Sequence, residues 1–330
     1  MTIDPQRRRA LLGIKLAALV RDHAGEAPVV LGTLAGGAAL TRAAKAGVDA
    51  WVLADDRPER FLGPAMLWAR RAGAGHIHLL VEESAGLLAR RAAQFTYPPT
   101  VWQIDGRAIH PAEPTVATPS GPPPDRVMPF VELIRAAGAE AVVEHGVLVG
   151  EVAGLEVCRA LIDPFLDVAR LEVGVGAHDR EAFLIMHGDV PTEAALADVV
   201  RHVAQHRRPG ARAHPLNRLG AERLLRARLI TDPSSLGLHD LVAAPPPVPR
   251  TNLKDPVPCI ALARDDHERP VVVAFSSGID LDLVPFAADA RVALGLDDQE
   301  LLLAVPARDA HAATAELAAR LRRPARIVGI

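Results

Sequence analysis

The chain has 330 residues, a net charge of −3 and 49% hydrophobic residues, which excludes disorder from end to end and suggests about two packed domains. Its two cysteines, Cys158 and Cys259, exclude a disulfide framework and a four-thiolate zinc site. Aromatic residues make up 3%, so the core rests on Leu, Val, Ile and Ala, and only three of the 37 basic residues (Lys15, Lys45 and Lys254) are lysines.

The opening MTIDPQRRRALLGIKLAALV joins a basic patch to a short apolar run. Lys15, Arg21, Asp22 and His23 interrupt that run and no small-residue cleavage site follows promptly. The segment therefore reads as an amphipathic helix over 7–22 rather than a signal peptide. No stretch approaches ~18 consecutive apolar residues, so no membrane partner is expected and a cytoplasmic location is.

PVVLGTLA (28–35) reads as a strand before a Gly36-Gly37 turn, and AALTRAAKAG fits strand or helix. DAWVLADD (49–56) is a strand, ERFLGPAMLWARRAG a helix, HIHLLVEE a strand, SAGLLARRAAQF a helix and TVWQID a strand. That alternation predicts an α/β layer of mostly parallel strands. HPAEPTVATPSGPPPDRVMP (110–129) has no apolar periodicity and reads as an inter-domain linker.

Residues 131–162 read as a helix and then strands joined by glycine turns, and 169–183 as a strand, a glycine turn and a helix start. TEAALADVVRHVAQHRR (192–208) is an amphipathic helix with Thr192 as its N-cap. A second proline run, APPPVPRTNLKDPVP (244–258), reads as a loop inside a domain. After it, RPVVVAFSSG is a strand, DLVPFAADARVALG a helix, ELLLAVPA a strand, DAHAATAELAARL a helix and ARIVGI a terminal strand. GPAMLWARRAG (63–73) answers VPFAADARVAL (284–294), and LLARRAAQF answers TAELAARL, a weak internal self-similarity.

Several groups carry possible chemistry. Glu144, His145, Glu151, Glu156, Glu172, His178, Asp179, Arg180 and Glu181 form the densest polar run, and neighbouring strands would bring a carboxylate pair together near His178. Residues 201–228 hold eight arginines against the single acid Glu222, a local charge of +7 in an acidic chain. Such a run offers guanidinium forks to phosphates through Arg201, Arg207, Arg208, Arg212, Arg218, Arg223 and Arg226, or else pairs with acids from elsewhere. It contains no aromatic residue for base stacking. His202 and His206 share a helix face near His214, and His76 and His78 share a strand face. GTLAGG (32–37) is a possible phosphate cradle, although it fits neither common glycine-rich fingerprint.

NRLGAERLLRARLITDPSSLG (217–237), PCIALARDDHERPVVVAFSSGIDLDLVPFAADARVAL and LLLAVP follow one another as helix, hairpin, central strand, helix and strand. That order resembles the PD-(D/E)XK restriction-endonuclease-like superfamily, in its RecB-like and archaeal-type nuclease branches. The resemblance covers roughly 211–330 and, more weakly, 1–106. It implies an α/β fold of two nuclease-like modules (1–109 and 211–330) flanking a linker (110–128) and a middle α+β segment (129–210). In the family, an Asp and a Glu-x-Lys step hold and use a divalent metal. Here the Asp position falls near Pro258-Cys259 and the Glu-x-Lys step reads Ala274-Phe275-Ser276, or Leu53-Ala54-Asp55 in the first module. Only Glu222 matches a family acid, while Asp280 and Asp282 lie just beyond the strand.

The resulting expectation is a catalytically degenerate nuclease-fold protein acting as a binding or scaffolding module. Its partner would be DNA, another protein or a second copy. No cofactor is expected. One alternative is a nuclease with a relocated site drawn from Glu172, Asp179, Glu181 and Glu222, using Mg²⁺ or Mn²⁺. Another is a nucleotide- or metabolite-binding protein using GTLAGG.

Overall fold

Helix α1 (Pro5–Ala24) starts where the Asp4 side chain accepts the Arg7 N–H at 3.0 Å, with Pro5 as its first residue. Leu16, Leu19 and Val20 recur at helical spacing and pack on Leu40, Trp51, Leu53, Leu80 and Trp102 of a six-stranded sheet. The computed structural model describes residues 4–45, 47–117, 121–186, 192–212, 214–250 and 255–330. Positions 118–120 of the expected linker and 251–254 of the second proline run lie outside them.

That first sheet runs in chain order: β1 (Val29–Gly32), β2 (Gly37–Ala44), β3 (Gly47–Ala54), β4 (His76–Val81), β5 (Thr100–Asp105) and β6 (Ala108–Pro111). β3, β4 and β5 are parallel, connected through α2 (Leu62–Arg71) and α3 (Ala85–Ala92), whereas β1/β2, β2/β3 and β5/β6 are antiparallel. The sheet is thus mixed rather than mostly parallel, because the connections at both edges are too short for a crossover. AALTRAAKAG supplies strand β2. Gly36 has φ +78°, so the β1–β2 turn requires a glycine there, and a Cβ on Gly37 would lie 2.2 Å from the Leu53 carbonyl oxygen, so the close approach of β3 requires the other. GTLAGG accordingly leads into a strand and not into the helix N-terminus of a phosphate cradle.

The middle of the chain adds α4 (Phe130–Ala136), β7 (Glu140–Glu144), β8 (Val147–Val152), β9 (Leu155–Ile162), β10 (Ala169–Val173), α5 (Ala177–Met186) and α6 (Thr192–Arg207). Its four strands form an antiparallel sheet in the order β10-β9-β8-β7. Ile134, Leu148, Leu155, Val157, Leu196 and Val203 anchor its core. Then come α7 (Ala221–Thr231), β11 (His239–Ala244), β12 (Cys259–Arg264), β13 (Pro270–Phe275), α8 (Leu283–Ala293), β14 (Glu300–Val305), α9 (Ala312–Ala318) and β15 (Arg326–Gly329). These strands form the third sheet in chain order, with β11/β12 and β12/β13 antiparallel and β13/β14 parallel. The chain is therefore α/β with three sheets among the described residues.

Helix, three strands, helix, strand, helix, strand occurs twice: once over α1–β5 and once over α7–β15, with the same strand order and matching directions in the first three pairings. The matched helices α2 and α8 both carry a proline in the first turn, Pro64 and Pro285, where no backbone N–H is needed.

The chain divides into two compact units. One comprises 1–117, 279–292 and 310–327; the other comprises 118–278, 293–309 and 328–330. The linear segments expected from the sequence are interleaved in this division, since α8 and α9 belong with the first sheet. The proline-rich stretch is anchored on both sides of its undescribed part. In the first unit Thr115 N–H donates to the Gly86 carbonyl at 3.0 Å, and in the second Val127 is buried in the middle core.

Candidate functional site

The acids and arginines of the second unit meet in one buried cluster. Glu151 on β8 and Glu156 on β9 are register partners, each 2% exposed. Two carboxylates placed this way in an apolar sheet need compensating charge. Helix α7 supplies it from one side, because Arg223 and Arg226 lie three residues apart and share a face. Arg223 donates to Glu151 at 2.6 Å and to Glu144 at 2.5 Å, while Arg226 donates to the Ile260 carbonyl at 3.1 Å and lies 3.7 Å from Glu151. Burial pushes the Glu144 carboxyl up, but the Arg223 charge and hydrogen bond outweigh it and hold the group below its ordinary value. Glu156 receives both arms of Arg159 at 2.9 Å and Arg180 at 2.8 Å, with Arg250 3.6 Å away.

The expected carboxylate pair thus exists, but its members face arginines rather than His178. Glu172 lies between Leu171 and Val173, which face the core, so its side chain takes the opposite face of β10. There it accepts from Arg170 at 2.7 Å and sits 3.5 Å from Arg180. Asp179 accepts the Val175 N–H at 2.9 Å at the start of α5. Glu181 is exposed, 3.8 Å from an equally solvent-facing His178, and Glu222 is buried on α7. The structure therefore scatters the four sequence-predicted acids among separate partners and does not gather them around one point.

The seven arginines separate into two groups. Arg207, Arg223 and Arg226 are buried. Arg207 spends its guanidinium on the carbonyls of Ala153, Leu216, Leu219 and Gly220 at 2.7–3.2 Å. These three have no face to offer a ligand in solution. Arg201, Arg208, Arg212 and Arg218 are exposed, and Arg201 pairs with exposed Asp198 at 2.8 Å.

Histidines collect at two places. His206 stacks on His214 with ring centroids 3.7 Å apart, and His202 stands 4.9 Å from His206. In the first unit His78 stacks on Trp51 at 3.9 Å and accepts the Trp102 indole N–H at 3.1 Å. Burial lowers its pKa to about 4, so the ring is neutral at pH 7. Among the described residues no group of three His, Cys, Asp or Glu side chains is disposed to hold a metal ion.

A second buried ion cluster, which the sequence reading missed, lies in the first unit. Arg91 on α3 is 1% exposed and reaches Asp282 at 3.2 Å, Asp289 at 3.3 Å and the Glu59 carbonyl at 2.9 Å. Arg90 clamps Asp289 at 2.7 and 3.0 Å, and Arg60 holds Asp280 at 2.7 Å. Asp280 and Asp282, the acids just past β13, are therefore engaged by arginines. Asp55 likewise pairs with Arg8 at 2.7 Å. The available signal was an arginine inside LLARRAAQF at a helix position that burial demands.

Neither cysteine is poised as a nucleophile: burial pushes the Cys158 thiol up to about 12 and the Cys259 thiol up to about 11. Comparison with protein-family models, curated proteins and solved structures finds no match to this chain.

Proposed function

We propose that this chain is a binding protein built from two nuclease-like α/β repeats of common origin that lack metal chemistry. We further propose that it contacts the phosphates of duplex DNA through Arg201, Arg208, Arg212 and Arg218. One observation carries the first half. The positions where the family resemblance calls for metal-holding and proton-handling side chains are Cys259, Ala274 and Ser276, all packed inside, and in the other repeat Leu53, also packed inside, and Asp55, whose carboxylate pairs with Arg8 at 2.7 Å. An apolar strand interior cannot coordinate hard Mg²⁺. The second half is supported by the four guanidiniums left in solvent within eighteen residues of one another in sequence.

Fluorescence anisotropy with duplex DNA across a salt series tests this reading. Four phosphate contacts give a slope of about −3 to −4 in log K against log salt. Replacing all four arginines by Gln lowers affinity at least about tenfold at low salt and flattens the slope. Absence of binding at ~50 mM salt, or a variant that binds unchanged, overturns the DNA assignment. Mg²⁺- or Mn²⁺-dependent cleavage abolished by Glu172→Ala or Glu222→Ala overturns the loss of catalysis.

A further inference from the structure

The three sheets present six edge strands, and five carry a feature that discourages pairing. β6 ends in Pro111, β7 holds Glu140 and Glu144, β10 holds Arg170 and Glu172, and β15 begins with Arg326. β11 contains a register shift, with Asp240 at φ +52°. Charges, proline and bulges at an edge are the usual protection against another strand. β1 has none of these. Val29, Val30 and Leu31 are 42%, 69% and 62% exposed, and no charged side chain occurs between Ala27 and Thr41. Among the described residues only β2 pairs with β1, and no described strand lies beside its outer N–H and C=O row.

Beside this edge runs a groove of about 510 Å³, walled by Ala17, Val20, Pro28 and Val29 with Arg21, Glu26 and Arg42 at its rim. Val29 and Leu31 face the α1 side of the sheet, because their partners across β2 are Arg42 and Leu40, and Leu40 lies in the α1 core. Val30 faces the other side.

We infer that β1 is a homodimerisation edge, and that a second copy of this chain pairs with it antiparallel to join two six-stranded sheets. An antiparallel pair about a two-fold normal to the sheet keeps each face on its own side, so only same-face residues oppose each other. In the register centred on Val30, that residue meets its own counterpart and Val29 of each copy meets Leu31 of the other. Leu31 then enters apolar space next to Val29, where the groove begins. Every side chain in the pairing is apolar and the row is complementary to itself, which selects a copy over a charged or differently spaced strand. A four-residue strand and one side chain per groove cover less than the roughly 1,200–2,000 Å² of a permanent interface, so the dimer is reversible.

Sedimentation equilibrium on the full chain reads this directly. The expected result is a monomer–dimer equilibrium with Kd on the order of 1–100 μM. Val30→Lys and Val30→Glu, each at an exposed position, are separately monomeric with unchanged circular dichroism and melting temperature. Mixing the two variants restores a dimer, since the register sets Lys against Glu. A wild-type chain that stays monomeric at ~200 μM overturns the proposal, as do single variants that dimerise like wild type. Failure of the mixture to associate overturns it too, because the Val30–Val30 register would then be wrong.

Discussion

Phe95 and Leu321, each three residues past the end of the second helix of its repeat (α3 and α9), face each other in an antiparallel bridge within the first unit. Thr96 N–H donates to the Arg320 carbonyl at 3.0 Å and Arg322 N–H donates to the Gln94 carbonyl at 2.8 Å, so the two hydrogen bonds are mirror partners across the pair. Equivalent positions of the two repeats thus contact each other symmetrically, as residues do across a two-fold axis. Nearby, α3 presents Arg90 to Asp289 on α8, and α9 presents Glu316 to Arg70 on α2 at 2.5 Å.

Both bridge residues are at most 1% exposed. Phe95→Ala is expected to cost about 3–5 kcal/mol and Leu321→Ala about 2–5 kcal/mol. The double variant should depart from additivity by at least about 0.5 kcal/mol, as directly opposed neighbours do. Urea denaturation of the four chains measures it, and strict additivity would show that the bridge is only a backbone contact.

Arg223 is the compensating charge for two buried carboxylates. Arg223→Met leaves Glu144 and Glu151 without it and should cost about 3–5 kcal/mol at pH 7. In wild type the Glu144 pKa lies below its unfolded value, so its contribution is present at neutral pH and is lost as pH falls through the folded value. Without Arg223, burial favours the protonated acid, and the deficit should shrink as pH falls towards ~4. A deficit independent of pH would exclude this account.

Arg207 and Arg208 are adjacent in sequence but belong to different physical classes. Arg207→Ala removes a buried guanidinium from four carbonyls, of which that of Gly220 is buried and the other three are half-buried, and should lose at least about 2 kcal/mol of stability. Arg208→Ala, at an exposed position, should stay within about 0.5 kcal/mol of wild type. Thermal melts distinguish them, and DNA affinity should respond to Arg208 alone among stably folded chains.

Burial pushes the Asp282 carboxyl up to about 7, against the attraction of Arg91 and with Asp280 adding to the rise. An unfolded aspartate titrates near ~3.9, so between about pH 4 and pH 7 the folded chain holds a proton that the unfolded chain has released. Stability from this group therefore falls as pH rises through that window. Asp282→Asn removes the slope, and the difference between variant and wild type should change by about 1–4 kcal/mol from pH 4 to pH 8. Parallel stability curves would rule out the assignment.

With thiols held at about 12 and about 11, Cys158 and Cys259 should resist a disulfide reagent at pH 8 in the native chain and both react after unfolding in urea. Rapid labelling of the native chain would contradict their burial.

Most elements were legible in the residues. The runs Trp51-Val52-Leu53 and Val271-Val272-Val273 are buried strands, and Leu16, Leu19 and Val20 mark a helix face, because apolar periodicity is a local property of the chain. The correspondence of 63–73 with 284–294 was visible too, and both segments became the helix between the third and fourth strands of a repeat. Strand direction was not, since whether PVVLGTLA pairs by hairpin or crossover depends on its neighbour. The candidate site was the least legible. Arg207, Arg223 and Arg226 stand in the same basic run as Arg208 and Arg218, and nothing in their spacing separates buried from exposed.

What the amino-acid order determined by itself was where most helices and strands lie, and an α/β class. What only the tertiary structure decided was which charges meet. Glu151 with Arg223, and Asp282 with Arg91, are 72 and 191 residues apart along the chain. Such pairs form because a carboxylate withdrawn from water must find a cation within a few ångströms, and that distance exists only after folding.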